Sequence, residues 1–518
     1  MLSLNTEELW ISLKELSGLF RFMPLVFLLP IPFTFYFILV DELLGGNPNF
    51  NELFQVVGAT SVDNLTKVIV DILVRSFSFV LPAIISYFLY SALRETPSKS
   101  PAKIRHVMMS VSLGWLVITL ISAVPYMLTG TLASPVDAWF ESMAGWSTTS
   151  LTLVKSLDSK PPDILFYRSL TQWLGGLGII FMALSVLLRK GTVAMDYYSS
   201  DKGERRIKPS VKGTVIEIWK IYGVYTVLCF ILLYLVGMSA FDALNHAMTT
   251  LSTGGFSTHD GSIGFFREKP FIAPVLMLFM IVGSVSFFVH FKLFEGKMRS
   301  LADNIEFRHM ISLLALATVI LAALLFLQTY SINEGNLLDA AFQSFSALTT
   351  TGYSTVDLSA WPESAQMILV VLMYIGGFYG SSAGGIKILR FAVILQVIAY
   401  SMKKLTVPKT AVLRIKIGDR PIGDEEILSV FGFTTAYLAI LAAGTLLLTS
   451  EFTTMQALFL SASALGNAGL SNVESVKWFG MSDASKIIMT LLMWVGRLEV
   501  LPVLVFLSSL YVKKKTPL

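Results

Sequence analysis

The sequence predicts an all-α polytopic membrane protein in which four similar repeats surround a common centre, preceded by two further transmembrane helices. Composition, long apolar stretches and an internal repeat lead to this prediction. The 518-residue chain is 54% hydrophobic and only 14% charged, and its mean hydropathy is +0.68. Its apolar stretches are long enough to cross a hydrocarbon layer of about 30 Å. A short motif, a helix start followed by a small-residue turn, occurs four times.

The apolar stretches, taken in order, predict ten transmembrane spans. The first contains three prolines and no small-residue cleavage site, so it is interpreted as a retained span rather than a signal peptide. The predicted spans are 22–40, 69–93, 107–129, 164–188, 216–236, 271–294, 309–328, 366–400, 428–449 and 485–511.

Basic residues alternate with these spans. The segments 94–105, 189–220, 292–308, 403–420 and 513–515 lie on one side of the predicted layout and hold 25 of the 39 lysines and arginines. By the positive-inside rule this side is cytoplasmic, and both chain termini lie on it. The basic residues form no separate basic domain, so the net charge of +4 does not indicate a nucleic-acid partner; their distribution instead reports the topology in the lipid bilayer.

The repeated motif begins with a helix-capping pattern. Ser, Asn or Thr followed three residues later by Asp or Gln is typical of a helix start, because both side chains cap free backbone N–H groups. The four starts are Ser134, Ser239, Asn336 and Thr453, and the key turn positions sixteen residues later are Ser150, Gly255, Gly352 and Gly469. A helix of about 14 residues spans only about 20 Å, so it must enter the membrane and return.

Four such turns are best placed around one central ion pore, because irregular backbone at membrane depth is tolerated only within protein or beside a water-filled cavity. A second marker keeps the register: Gly175, Gly283, Gly376 and Gly496 follow the key positions by 24 to 28 residues. The predicted regions are 1–106 with two extra transmembrane helices, 107–190 (pore repeat 1), 191–300 (repeat 2), 301–402 (repeat 3, with a broken second helix) and 403–518 (repeat 4).

The turns have the composition needed to replace the water around a cation. Backbone carbonyls can form a ring of oxygens if residues adopt conformations that most side chains forbid, and glycine meets that demand. The preceding short helices would direct their partly negative C-terminal ends to the centre, and threonine hydroxyls can add oxygens. The predicted ion-binding filter is Thr148, Thr149, Ser150, Thr253, Gly254, Gly255, Thr350, Thr351, Gly352, Asn467, Ala468 and Gly469.

Other chemistry has little support in the sequence. The single cysteine, Cys229, allows no intrachain disulfide, and the five histidines lack metal-ligand spacing. No pair of a nucleophile and a base stands out in the spans, so we predict neither an enzyme nor a cofactor bound to this chain. An organic-solute transporter would usually show inverted repeats, whereas these four turns all lie on the same side.

Four segments, 172–180, 251–260, 346–355 and 376–390, carry a resemblance to a known family. In them the chain resembles the Trk/Ktr/HKT superfamily of potassium transporters, most closely the TrkH-type subunit. The likeness covers about residues 107–511, and the two extra spans are also TrkH-like. The resemblance implies potassium uptake across a prokaryotic cell membrane, with potassium as substrate at the filter. It also implies a homodimer and a cytosolic TrkA-type regulatory ring that holds the only expected nucleotide.

The third repeat contains a glycine-rich interruption where a continuous span is expected. Such a broken helix beside a cavity is typical of a transport site or a gate, and the resemblance implies an intramembrane loop that opens and closes the pore. The alternative is close helix packing by small residues. We favour the gate because only one repeat of four shows the interruption. The predicted gate comprises Gly376, Gly377, Gly380, Ser381, Ser382, Gly384, Gly385, Lys387 and Arg497.

Arg497 lies within the last predicted span. An arginine at mid-membrane costs about 2.5–3.5 kcal/mol unless it faces water or a partner. The resemblance implies that it stands in the pore as an electrostatic barrier, and the alternative is a pair with Glu499 or another buried acid. Lys387 could instead extend its stem to the cytoplasmic interface.

Ser150 departs from the resembled pattern, in which the first turn usually has glycine. In the plant HKT branch a serine there accompanies sodium preference. Either the serine backbone still turns and potassium passes, or the hydroxyl reshapes the ring and selectivity relaxes. Potassium uptake is therefore predicted, with transport of sodium or of monovalent cations with poor selectivity, or coupled transport of another solute, as alternatives.

Overall fold

The computed structural model describes residues 6–38, 62–95, 104–187, 211–329, 334–408, 414–418 and 420–511. These residues are mainly helical, which confirms the predicted all-α class. A two-residue antiparallel ladder joins β1 (Lys416–Ile417) to β2 (Arg420–Pro421). The helices in chain order are α1 Thr6–Phe20, α2 Met23–Leu28, α3 Ile31–Ile38, α4 Val62–Arg94, α5 Ile104–Ser122, α6 Val124–Leu128, α7 Pro135–Trp146, α8 Pro162–Leu187, α9 Val211–Leu235, α10 Ala240–Leu251, α11 Ile272–Ser284, α12 Phe287–Phe294, α13 Arg299–Ala302, α14 Ile305–Thr329, α15 Glu334–Leu348, α16 Glu363–Ile375, α17 Ile388–Thr406, α18 Asp424–Leu448, α19 Thr454–Leu465, α20 Ser475–Phe479, α21 Asp483–Arg497 and α22 Leu501–Tyr511.

Five spans in the described ranges are long and apolar enough to cross a membrane as single stretches, on α4, α5 with α6, α9, α14 and α18. Three bent helix pairs raise this number to eight. The other two predicted spans fall on α8, which has 26 residues, and on α16 with α17. Exposed leucine, phenylalanine and valine side chains on these helices are expected where lipid is the solvent.

The third repeat is not the only one with an interrupted second helix, so that part of the prediction is wrong. Helices α11 and α12 meet at 102°, and α21 and α22 meet at 110°. Neither break is glycine-rich: Val285 is extended, whereas Glu499 and Val500 have φ of 56° and 60°. Composition therefore reveals only the break in the third repeat. That only one repeat has a glycine-rich interruption is no longer an argument for a gate.

The chain divides into two compact units, and the first comprises Met1–Met143, Thr152–Thr171 and Pro502–Leu518. Tyr167 lies in its core. The tyrosine ring packs against Phe79 and Tyr126, with centroids 5.4 and 5.5 Å apart. Its hydroxyl donates to the Ser122 carbonyl at 3.0 Å. Aromatic packing of this kind stabilises a core beyond the area it buries.

A buried ion pair in the first unit holds the chain segment after the first turn. Arg168 Nε donates to Glu141 Oε1 at 2.9 Å, and both side chains are at most 1% exposed. The same carboxylate accepts from the Thr152 hydroxyl at 2.9 Å and from the Leu153 N–H at 2.8 Å. Buried charges need such partners, so the pair fixes the residues that directly follow the predicted filter position in repeat 1.

The second unit comprises Ala144–Leu151 and Gln172–Leu501 and contains every predicted site residue. Four short helices, α7 (mainly in the first unit) and α10, α15 and α19 (in the second), are called here the half-helices and have 12, 12, 15 and 12 residues. At 1.5 Å per residue the longest measures about 22 Å, too short to span a bilayer. The half-helices end at the four predicted turns.

The capping residues predicted from the sequence cap two of the half-helices, and a third predicted cap lies inside its helix. Ser239 accepts from the Asp242 N–H, and Thr453 with Gln456 forms a complete capping box. Asn336 is not a cap, because α15 already begins at Glu334. The acid of that third motif, Asp339, instead accepts from Thr355 Oγ1 at 2.7 Å. It therefore stabilises the segment after the third turn rather than the helix start.

Candidate ion-binding site

The four turns share one backbone arrangement. In each, a residue just beyond the half-helix donates its N–H to the carbonyl three residues back, and the next N–H reaches the carbonyl five residues back at 2.8–2.9 Å. This is the Schellman motif. Its left-handed residues are Thr148, Thr253, Thr350 and Asn467, with φ of 52°, 51°, 54° and 51°. Threonine rarely adopts this conformation, so the surroundings hold three of the turns in strained backbone.

The key positions of the turns lie against one another. The three glycines have positive φ of 73°, 82° and 91°, the conformation for which glycine was predicted. An added Cβ on any of them would overlap the backbone of another turn. The overlaps are Gly255 with the Thr351 carbonyl, Gly352 with the Ala468 carbonyl, and Gly469 with the Ser150 nitrogen.

Ser150, the key position of the first turn, contacts the second and third turns through its side chain. Its φ lies outside the left-handed region, unlike that of the three glycines. Its hydroxyl lies 3.0 Å from the carbonyl oxygen of Gly255 and 2.9 Å from that of Gly352, close enough to donate to either. These are two of the oxygens predicted to bind a cation. The hydroxyl therefore lies within hydrogen-bond distance of two oxygens that the sequence predicts as cation ligands.

Hydroxyl and amide groups of other predicted filter residues bond to neighbouring protein groups. Thr149 Oγ1 lies 2.8 Å from Ser147 Oγ, and Thr351 Oγ1 lies 2.8 Å from Thr349 Oγ1. Asn467 Nδ2 donates to Thr149 Oγ1 at 3.2 Å, which joins the fourth turn to the first. Since these side chains shape the turns, backbone carbonyls are the better candidates for cation ligands.

Further contacts that were not predicted join residues after the third and fourth turns to helices of the preceding repeats. The Tyr353 hydroxyl lies 2.6 Å from Thr249 Oγ1 and 3.1 Å from Thr250 Oγ1 on the second half-helix. Asn472, after the fourth turn, donates to Gln366 Oε1 on α16 at 2.7 Å. A signal for Tyr353 was present in the sequence, because only the third turn has a hydroxyl-bearing aromatic residue directly after the key position.

In three of the repeats, the glycine of the second sequence marker lets the helix that follows the turn pack closely against the half-helix that precedes it. In repeats 1, 2 and 4 the glycine lies beside the carbonyl of the last half-helix residue, where a Cβ would be too close. The pairs are Gly175 with Trp146, Gly283 with Leu251, and Gly496 with Leu465. Gly376 of repeat 3 differs, because it faces Gly384.

Residues 376–387, called here the 376–387 loop, connect α16 to α17 without helical structure. The Gly384 N–H donates to Thr350 Oγ1 of the third turn at 2.7 Å. The Ser382 hydroxyl lies 3.1 Å from the carbonyl of Leu251, the last residue of the second half-helix, and 2.9 Å from that of Gly283. The loop therefore contacts the ends of half-helices directly.

Small residues serve this loop in two ways. Positive φ occurs at Gly376, Gly380 and Gly385, with values of 74°, 74° and 75°, and also at Lys387, which is not a small residue, with 79°. Close packing occurs at Gly377 and Gly384, where an added Cβ would meet Ala383 and the Gly466 carbonyl respectively. Ser381 is buried, and its hydroxyl donates to the Phe378 carbonyl at 2.8 Å. The small residues thus pack a loop rather than two helices.

Arg497 binds backbone oxygens rather than an acid. Its Nη1 donates to the Ser382 carbonyl at 2.8 Å and its Nη2 to the Gly175 carbonyl at 2.6 Å. Glu499, the alternative partner, forms its ion pair with Arg390 at 2.9 Å. Lys387 is buried and donates to the Ala383 carbonyl, so it does not extend to an interface. The 1% exposed guanidinium of Arg497 therefore links the loop to α8.

Apolar spans, four half-helices with converging turns and a buried arginine held by carbonyl oxygens are the features of a polytopic membrane transport protein. A sequence model of the TrkH family, described as cation transport protein, matches residues 76–515. The chain belongs to the TrkH family of cation transport proteins, which is a family of transporters and not of enzymes.

Curated relatives and a solved structure agree with this assignment. An uncharacterized cation transporter of Methanocaldococcus jannaschii is 33% identical over 91% of this chain and 95% of its own length. The Trk system potassium uptake protein TrkH of Salmonella typhimurium is 33% identical over 84% of this chain and 90% of its own. The crystal structure of the potassium transporter TrkH from Vibrio parahaemolyticus superposes with a TM-score of 0.75 at 27% identity, covering 94% of this chain and 98% of that one.

Proposed function

We propose that the chain takes up potassium across the cell membrane through a passage lined by the four turns. The observation that carries this proposal is the contact of four turns of the same backbone arrangement at their key positions. Four half-helix ends contribute partial negative charge there, and backbone carbonyls supply oxygens to replace the hydration shell. The potassium uptake named for the Salmonella typhimurium relative supports potassium as the ion.

Ion flux into vesicles that contain the purified chain tests this function. We expect potassium and rubidium to move down their gradients faster than sodium, without another solute as the driving force. Absence of movement of any monovalent cation, with or without a cytosolic partner and nucleotides, would rule out the passage. Potassium movement that required a proton or sodium gradient would instead support coupled transport.

We also propose that the 376–387 loop, with Lys387 and Arg497, gates this passage. Its contacts with Thr350, Leu251 and Gly283 support this role, because a segment that binds the half-helix ends can block what lies between them. The positive charge of Arg497, held by two backbone carbonyls, would oppose a cation at the same place.

Sodium or poorly selective transport is the second candidate, and the Ser150 hydroxyl favours it. Replacing Ser150 by glycine removes the group that bonds to the Gly255 and Gly352 carbonyls. We expect Ser150→Gly to raise the potassium-to-sodium permeability ratio about fivefold, the effect of one hydrogen bond. Reversal potentials in bilayers measure this ratio.

Ser471→Gly is the matched control, because Ser471 follows the fourth turn, and within the described residues its hydroxyl bonds only the local Val473 N–H at 3.2 Å. The control should leave the ratio unchanged. An unchanged ratio in Ser150→Gly as well would show that Ser150 does not set the ion preference.

We propose that the assembly is a homodimer in a prokaryotic cell membrane, with both termini cytoplasmic and a cytosolic nucleotide-binding ring of the TrkA type as its regulator. The distribution of basic residues supports the orientation. The Trk system name of the relatives supports a partner. Light scattering of the purified protein measures the oligomer, and flux with an added partner and nucleotides measures the regulation.

A further inference from the structure

The side chain of Gln172 forms hydrogen bonds to the backbone of both the first and the second turn. It lies on α8, and its side chain is fully buried. Its Nε2 donates to the Thr149 carbonyl at 3.3 Å and to the Gly254 carbonyl at 2.8 Å. Its Oε1 accepts from the Phe256 N–H at 3.0 Å. One amide therefore uses both N–H groups and its oxygen on the main chains of two different turns.

Gly254 leaves room for this amide. Its φ lies outside the left-handed region, so the backbone does not require glycine at this position. An added Cβ would overlap Gln172 Oε1 and lie only 2.5 Å from Gln172 Cδ. The equivalent residues of the other turns, Thr149, Thr351 and Ala468, all have side chains. Gly254 and Gln172 are thus a matched pair.

The other repeats show that the fold does not need a polar residue at the position of Gln172. The residue three before each in-register glycine is Gln172 in repeat 1 and Met280, Met373 and Met493 in repeats 2, 3 and 4. All three methionines are fully buried. An apolar side chain of similar length therefore fills this place three times, and the amide must serve something other than packing.

We propose that Gln172 is a positioning residue that helps determine ion specificity, an inference that rests on the proposed role of the turns as a cation filter. By bonding to the carbonyls of Thr149 and Gly254, it directs both towards α8 and prevents them from rotating towards an ion. It also fixes the Phe256 N–H next to the key position Gly255. The number and orientation of carbonyls around the ion determine which cation is preferred.

Gln172→Met tests this role, because the fold already accepts methionine at the three equivalent positions. We expect the potassium-to-sodium permeability ratio to fall about fivefold or more, as two carbonyls and one N–H lose their partner. The ratio comes from reversal potentials, which do not depend on how many molecules fold. Gln172→Glu, which replaces the donor nitrogen by oxygen, and Gly254→Ala, which displaces the amide, should shift the ratio in the same direction.

Met373→Leu is the control at the equivalent position of repeat 3, where a volume-conserving apolar change should leave the ratio unaltered. An unchanged ratio in conducting Gln172→Met protein overturns the inference. If that variant does not fold, the ratios of Gln172→Glu and Gly254→Ala decide in the same way. A wild-type protein that moves no cation refutes the filter itself, whereas a selective wild type with equally selective variants refutes only the role of Gln172.

Discussion

Gly469→Ala is expected to reduce potassium flux by at least about tenfold in a protein that still folds. Gly469 has φ of 91°, where an L side chain is disfavoured by about 1–2 kcal/mol. Its Cβ would also overlap the backbone nitrogen of Ser150. Relief of this overlap requires the first and fourth turns to separate, which displaces the carbonyls proposed to bind the ion. Flux of rubidium or potassium into vesicles measures the loss.

Gly432→Ala is the matched control for that variant. Gly432 lies in α18, its φ is not left-handed, and an added Cβ meets nothing within 4 Å. Alanine there should leave flux unchanged and slightly favour the helix. Wild-type flux from folded Gly469→Ala protein would contradict the proposal that the turn backbone lines the passage.

Deletion of residues 380–385 is expected to raise potassium flux about tenfold in the absence of a partner. The deletion removes Ser382, which bonds to the carbonyls of Leu251 and Gly283, and Gly384, which bonds to Thr350. It also removes one of the two carbonyls that hold Arg497. Lowering the barrier by about 1.4 kcal/mol raises the rate about tenfold, and the loss of two or three hydrogen bonds can lower the barrier by that amount.

Ser382→Ala is the milder version of this experiment, because it removes the hydroxyl and keeps the loop. It should raise flux by a smaller factor, and Ser401→Ala should leave flux unchanged, since Ser401 is exposed and, in the part of the chain that the structure describes, its hydroxyl donates only to Val397 of its own helix. Unaltered or lower flux from a folded deletion variant would mean that the small residues serve packing and not gating.

Much of the fold follows from sequence because its causes are local or compositional. Apolar stretches require a membrane, and the half-helices of 12 residues in repeats 1, 2 and 4 follow from the spacing between a capping residue and a turn. The positive φ of Gly255, Gly352 and Gly469 was likewise predictable, since glycine is the residue that this conformation favours. Only the start at Asn336 was misplaced, because its acid is used in a tertiary contact.

The remaining features depend on contacts between distant parts of the chain. Nothing local shows that Ser150 bonds to Gly255 and Gly352, 105 and 202 residues away. The helix breaks at Val285 and Glu499 have no glycine-rich sequence that would predict them. Left-handed threonines such as Thr148 contradict residue preference outright. These conflicts between local preference and structure occur at the turns and the loop, where a function is proposed.

The unequal contacts between the turns have an evolutionary consequence. Gln172 joins the first turn to the second, Tyr353 joins the third to the second half-helix, and Asn467 joins the fourth to the first. In a ring of four identical subunits, one codon change would alter all four quarters together. In this single chain a codon change alters one repeat of the four, so each mutation changes the ion preference by a smaller amount. Selection can therefore retain an asymmetric residue such as Ser150 while the other three quarters preserve conduction.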